Sequence, residues 1–382
     1  MKFLTIFPDF EDFHKKKDVG QVGVRMAKAL DCEPYMLSYN KQLGHQIFCE
    51  PGILHLLRIN EWKSRISHRK LDLNVLLFLI KNARAFKYLN LYHETFATQV
   101  YTIIYKSINP KGKVYIKLDL DVQHEKTKTH SEDNKLKRII KKVVYDLYQK
   151  KLSIASVESI EGYDILRSKG HYDKNKLILL ANGFSSDYYN EFNLEPTFED
   201  KEDLILTVGR IGSEQKNIQL MLNVLSKVNL RNWKYVFAGP ISRPFDNAIK
   251  QFFIENPDKV GAVEFVGMKN DKELNDLYRR AKLFVLSSNF EGFPLVFPEA
   301  LFFGCHILTT NVSSSMDVTK QGTIGTVVPI GNADAMQRGL QFLIDNDVNE
   351  DMFLKSRELG INEFSWDSII SNSFDKLKNN NE

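Results

Sequence analysis

The sequence predicts an α/β protein of two doubly wound domains facing each other across a cleft, and three observations carry that expectation. A chain of 382 residues exceeds what one hydrophobic core usually organises. Short β-rich runs alternate with helical patterns along its whole length, the arrangement of right-handed βαβ units and of parallel sheets covered on both faces. One stretch, FSSDYYNEFNLEPTFEDKE, is polar, acidic and without periodicity, as a connection between domains is. The expected boundaries are residues 1–182 for the first domain, 183–202 for the linker, 203–364 for the second domain and 365–382 for a closing helix.

In chain order, KFLTIFP, KYLNLYH, GKVYIKLDL and KLILLANG are the strand-like runs of the first half, and DLILTVGR, WKYVFAGP, VEFVG, KLFVLSS and HILTT those of the second. Each is apolar enough to be buried on both faces. The tail INEFSWDSIISNSFDKLK spaces Phe364, Trp366, Ile369, Ile370 and Phe374 as one face of a helix that packs on the body, and NNNE is expected to fray.

Composition narrows the function. Lys and Arg number 52 against 48 Asp and Glu, a formal charge of +4, which argues against a protein that coats nucleic acid. Cys32, Cys49 and Cys305 show no Cys-x-x-Cys spacing and read as reduced thiols of a cytoplasmic protein. The opening residues lack the charged, apolar and cleavage regions of a secretory signal, and no window approaches the roughly 18 apolar residues of a membrane span.

Two stretches could carry chemistry. In LILTVGRIGSEQKNIQLMLNVL a strand runs into Gly209 and Arg210, passes a polar loop and reaches Lys216 just before an apolar-periodic helix. Two cations at a strand end beside a helix N-terminus suit a diphosphate; two solvated surface charges would give the same pattern. In SSNFEGFPLVFPEALFFG a turn with Glu291 and Gly292 precedes a helix over PLVFPEALFF, with Pro294 and Pro298 in its opening turns, Glu299 further along and Gly304 at its end. Carboxylates roughly 10 Å apart on such a helix are wide for a glycosidase pair and suit an extended ligand, although both could simply complement the helix dipole.

GRIGSEQK and EGFPLVFPE together resemble the retaining GT-B glycosyltransferases of the large nucleotide-sugar family, family four, which serve bacterial capsule, lipopolysaccharide and glycolipid assembly. ELNDLYRRAKLFVLSS, LILLANGFSSDYY and FSWDSIISNSFDKL resemble further stretches of that family in the same order. The resemblance implies two Rossmann-like domains, with the closing helix crossing back to the first. It implies that Arg210 and Lys216 neutralise the donor diphosphate, that Glu299 bonds the ribose, and that Glu291, with Gly292 and the backbone of Phe293, Leu295 and Val296, holds the donor sugar and its phosphate. Val266 and Met268 would meet the base, and Gly209 and Gly239 would keep the strand ends open beside the ligand.

In the first domain LNLYHETFATQ resembles the family's strand end bearing a histidine, so the resemblance makes His93 a catalytic residue with Glu291, Arg210 and Lys216. DVGQVGVRMAKAL resembles its glycine-rich loop, with Gly20 beside the sugar. Asp119 and Asp121 end another strand and would touch the acceptor or cap a loop. This chain departs from the family's pattern at Pro294 and in NVSSSMD, where many members carry glycines.

The expected activity is retaining transfer of a hexose-type sugar from a UDP- or GDP-linked donor to a glycan or lipid-linked acceptor, with no metal and no cofactor beyond the donor. A nucleotide-sugar epimerase or a non-catalytic GT-B subunit would share the fold. NKLKRIIKKVVYDLYQKK, residues 134–151, is basic and amphipathic, and EWKSRISHRK adds a second basic run. This suits peripheral contact with an anionic membrane; a helix with its apolar face in the core would look the same.

Overall fold

The computed structural model describes residues 1–39, 42–60, 71–120, 122, 135–185 and 195–379. Asp121, the basic run 61–70, residues 186–194 of the expected linker and the end from residue 380 lie outside the described residues. Two compact units emerge. Residues 1–120, 135–185 and 366–379 form the first, and residues 195–365 with residue 122 the second.

The first unit holds strands β1 (Lys2–Ile6), β2 (Glu33–Ser38), β3 (Gln46–Cys49), β4 (Gly52–Arg58), β5 (Tyr88–Tyr92), β6 (Lys113–Lys117), β7 (Ile154–Val157) and β8 (Leu177–Leu179). They form one sheet in the order β3-β4-β2-β1-β5-β6-β7-β8, parallel except where β3 runs against β4. Its helices are α1 (Asp18–Ala29), α2 (Leu73–Asn82), α3 (Phe96–Ile108), α4 (Lys135–Lys151) and α5 (Ile160–Ser168). Side chains dictate where these begin: Asp72 accepts from the backbone N–H of Asn74 at 2.7 Å and opens α2, while Thr95 accepts from Thr98 at 3.2 Å and opens α3. Val75 and Leu79 of α2, Tyr101 and Tyr105 of α3, and Tyr148 of α4 pack on Leu89, Leu91 and Ile116 of the sheet.

The alternative in which the α4 apolar face lies in the core does not hold. Ile139, Ile140, Val143 and Leu147 are exposed, and the core takes Tyr148 instead, about 140° around the helix from Val143. The sheet's other face carries α1, where Val22 and Met26 pack with Trp366, Ile369 and Ile370.

The second unit runs β9 (Glu202–Val208), α6 (Ile218–Leu225), β10 (Lys234–Ala238), α7 (Asp246–Glu255), β11 (Val263–Gly267), α8 (Asp271–Arg280), β12 (Ala281–Leu286), α9 (Val296–Phe302), β13 (His306–Thr310), α10 (Ser315–Val318), β14 (Thr326–Val328), α11 (Ala333–Asn346) and α12 (Glu350–Phe364). Its sheet is wholly parallel, in the order β11-β10-β9-β12-β13-β14. Asn270 and Glu273 exchange backbone hydrogen bonds of 3.0 Å at the start of α8, a capping box that leaves Leu277 and Tyr278 facing inward. The chain then ends in α13 (Trp366–Asn379), which belongs to the first unit, tied there by Arg25 to Asp367 at 2.6 Å.

The closing face does not include Phe364 as expected, since Phe364 ends α12 and α13 starts at Trp366. Helix α9 is also shorter than expected: Pro294 precedes it, and only Pro298 lies within it, at its third position. Gly304 does end it, with φ at +72° and no room for a side chain, because a Cβ there would meet the Phe353 ring at 2.3 Å.

Candidate functional site

Parallel sheets bind ligands outside the carboxyl ends of their strands, where the strand order reverses. In the second unit the chain moves outward through β9, β10 and β11, then returns to β12 and proceeds to the other edge. The reversal therefore falls between β9 and β12, and the loops that leave these strands contain Gly209 to Lys216 and Ser287 to Leu295. Hydrogen bonds join the two loops. The Asn289 backbone N–H donates to the Gln215 carbonyl at 2.8 Å, the Asn217 amide to the Asn289 side chain at 2.9 Å, and the Ser287 hydroxyl to the Lys216 carbonyl at 2.9 Å. Asn217 adopts φ +46° to cap α6, an uncommon conformation for a residue other than glycine.

Within this frame the structure joins two residues that were expected on different parts of a ligand. Lys216 Nζ lies 2.6 Å from Glu291 Oε1, and the Ser288 hydroxyl donates to the same oxygen at 2.7 Å. The Gln215 amide donates to Glu291 Oε2 at 3.0 Å and accepts from the Arg210 guanidinium through its own oxygen. Glu291 is 8% exposed, so its charge is sustained by three local donors rather than by water. Arg210, by contrast, is exposed.

Glu299, the fourth residue of α9, accepts from the Tyr278 hydroxyl at 3.0 Å. The Tyr278 ring stacks on Phe303 with centroids 5.6 Å apart, and the Tyr278 carbonyl accepts from Lys201 Nζ at 3.1 Å, so the hydroxyl is aimed by packing. Gln215, Ser288 and Tyr278 were all missed in the sequence. Ser288 and Gln215 stand beside nominated residues with nothing ionisable to draw notice, and Tyr278 falls in the apolar phase of its helix and reads as core.

A Cβ on Gly239, at φ +138°, would meet the Gly209 carbonyl oxygen at 1.9 Å; the space is filled by protein backbone where β9 and β10 end side by side. Val266 and Met268 lie at the end of edge strand β11, Met268 fully in solvent. Gly292, Leu295 and Val296 are half-buried at the mouth of α9, and the Phe293 side chain is packed on Phe364.

In the first unit the strand order reverses between β1 and β5. His93 follows β5 directly, exposed, with φ +59°, its N–H bonded to the Lys117 carbonyl at 2.9 Å. Histidine is among the residues that adopt this left-handed conformation most readily after glycine. Gly20 corrects the expectation: it lies inside α1, buried, and a Cβ would meet the His14 and Lys15 carbonyl oxygens at 2.5 and 2.6 Å. It accommodates the preceding turn of this chain, from within a helix rather than a loop.

Asp119 is exposed just beyond β6. Behind it lies a cluster the sequence did not reveal, in which Lys117 is paired with Glu158 and lies 3.8 Å from Asp18. Burial pushes the Glu158 carboxyl up to about 8.

Comparison with known proteins places these features. An N-acetyl-D-galactosaminyltransferase of Campylobacter jejuni, named for a diNAcBac-PP-undecaprenol acceptor, is 27% identical over 176 residues, 45% of each chain. The chain spans about half the length of the first curated relatives it matches. A glycosyltransferase from Rickettsia africae superposes with a TM-score of 0.72 at 17% identity, covering 99% of this chain and 98% of that one. HepE from Anabaena, solved with UDP and glucose, superposes at 0.68 and 13% identity, covering 99% and 100%. Residues 190–358 match the family model of glycosyl transferases group 1, and the chain as a whole has the GT-B fold of the glycosyltransferases on which it superposes.

Proposed function

We propose that this protein is a retaining glycosyltransferase that moves a hexose from a nucleoside-diphosphate sugar to a glycan or lipid-linked glycan in cell-surface polysaccharide or glycolipid synthesis. The observation that carries the reading is the meeting of Arg210, Lys216 and Glu291 on the two loops at the reversal point of the second sheet. Complexes of a structural relative point the same way: HepE was solved with UDP-glucose and with UDP, which puts UDP-linked donors ahead of GDP-linked ones. The undecaprenol-linked acceptor in the Campylobacter relative's name supports a lipid-linked acceptor.

In this reading the donor's diphosphate draws Lys216 away from Glu291 and gathers Arg210 as well. Glu291, still held by Ser288 and Gln215, then accepts from hydroxyls of the donor sugar, and Glu299 accepts from the ribose. The acceptor oxygen bonds to the anomeric carbon on the face from which the diphosphate departs. The bond from that carbon to the phosphate oxygen breaks, and the acceptor's proton passes to the leaving phosphate. Arg210 and Lys216, rather than a metal, stabilise the negative charge that develops. The enzyme works at the cytoplasmic side of the membrane that carries its acceptor.

The test is a panel of nucleotide sugars, followed by thermal shift and slow hydrolysis. One donor should stabilise the protein and be hydrolysed, and Lys216→Ala should lower that rate on the order of 100-fold, with Glu299→Ala losing the stabilisation. If no nucleotide sugar or nucleoside diphosphate binds, the reading fails.

A further inference from the structure

Helix α4 leaves an apolar stripe in solvent that neither the core nor the proposed chemistry uses. Ile139, Val143 and Leu147 follow one another at intervals of four, with Ile140 beside them, and all four are at least 42% exposed. On the same side of the sheet, beyond α3, helix α2 exposes Leu73, Leu77 and Ile80, again on one face. Exposed large side chains scattered singly need no explanation, but two such stripes on the same side of one sheet do.

The charge around the α4 stripe is one-sided. Its sequence, KLKRIIKKVVYDLYQKK, carries seven lysines and arginines against the single Asp146. Lys142 lies about 100° to one side of Val143 and Lys151 about 80° to the other, so ammonium groups border the apolar strip.

We propose that the outer face of α2 and α4 docks the protein on an anionic phospholipid bilayer. Such a surface takes both features at once: isoleucine, valine and leucine enter the boundary between headgroups and acyl chains, and the lysines reach back to phosphates along their own methylenes. Nucleic acid would satisfy the cations and leave the apolar stripe in water. A second copy presenting the same face would bring like charges together. The proposal does not depend on the transferase reading, since docking is measured without a donor.

The experiment is flotation of the full chain with vesicles of phosphatidylcholine alone and of phosphatidylcholine mixed with phosphatidylglycerol, at low and high salt. The protein should float with the anionic vesicles only, and high salt should release it. A triple variant, Ile139→Ser with Val143→Ser and Leu147→Ser, should bind about tenfold more weakly or worse. Lys142→Gln and Lys150→Gln should each cost about fivefold. All five side chains are exposed, so thermal unfolding should stay at the wild-type temperature and excludes misfolding as the cause. Equal binding to neutral and anionic vesicles, or a triple variant that binds as well as wild type, overturns the proposal. So does a wild-type dimer that ignores vesicles and that the triple variant dissociates, which would make a second copy the occupant.

Discussion

Each unit sets a Lys–Glu pair at the carboxyl end of its sheet, but the two pairs are held by different partners. In the first unit Lys117 ends β6 and Glu158 follows β7, with side chains 1% and 4% exposed. Burial works against both charges. It raises the Glu158 carboxyl, opposed by Lys117, whereas for the Lys117 ammonium the carboxylates of Glu158 and Asp18 outweigh it and the value rises. In the second unit Lys216 reaches from the loop before α6, and its partner Glu291 also accepts from Ser288 and Gln215. Once Glu158 is ionised, above about 8, removing the Lys117 amine strands a buried carboxylate, while removing the Lys216 amine leaves Glu291 with two neutral donors. Neutral donors, more than depth, decide whether an ion pair can exchange its cation for a ligand.

The largest expected effect tests that difference directly. Above pH 8, where Glu158 is ionised, Lys117→Met should destabilise the first unit by about 3–5 kcal/mol, because it leaves a buried carboxylate uncompensated. Adding Glu158→Gln should recover most of the loss. Lys216→Met should cost the second unit clearly less. Peptide-resolved hydrogen exchange under mild denaturant reads the two units separately, and equal losses would erase the distinction.

The units should also respond to pH in opposite directions. Glu158 holds its proton in the folded state up to about 8, against 4.5 for an ordinary glutamate, so the first unit should lose stability as pH rises through that interval. In the second unit His306, buried on β13, is pushed down to about 4 from 6.5 by desolvation alone. The unfolded chain binds that proton first, so this unit should lose stability as pH falls from about 6.5 to about 4, by about 3 kcal/mol in all. His306→Phe should flatten the acid-side loss in unfolding curves taken across that range. A loss unchanged in the variant would assign it to other groups.

The fold was legible because its signals are local and repeated. β9 and β12 carry the apolar runs LIL and LFVL, buried on both faces as a doubly covered sheet requires. The strands not anticipated, β2, β3, β4, β7 and β14, are short or begin with half-exposed residues, so their assignment depends on neighbours far along the chain. For the candidate site, charged residues stood out and neutral ones did not. Arg210, Lys216, Glu291 and Glu299 were visible as types, but the ion pair between Lys216 and Glu291 arises only when β9 and β12 become neighbours. Gly20 misled because a Gly-x-x-Gly spacing serves equally well inside a helix that must pass close to another backbone. Helix α4 has two candidate faces, and its aromatic face, not its isoleucines and valines, packs on the sheet.

The smallest effect bears on the same principle in its mildest form, a carboxylate that a neutral hydroxyl helps to orient. Tyr278→Phe keeps the ring stacked on Phe303 and removes only the hydroxyl that donates to Glu299. One hydrogen bond to a charged group contributes about 1.5–3 kcal/mol at most, and water can replace part of it at this half-buried carboxylate, so nucleoside diphosphate binding should weaken by roughly fivefold. If Glu299 meets the ribose, the loss should fall on the preference for a ribonucleoside over a 2′,3′-dideoxynucleoside diphosphate, in KM more than in kcat. Titration calorimetry with both nucleotides, alongside Glu299→Ala, separates the possibilities. A Tyr278→Phe variant that unfolds at lower temperature but keeps the full ribose preference would make the hydroxyl a prop for the fold. A preference lost together with that of Glu299→Ala would show that the second unit orients its ligand-facing carboxylate through a buried phenol rather than a cation.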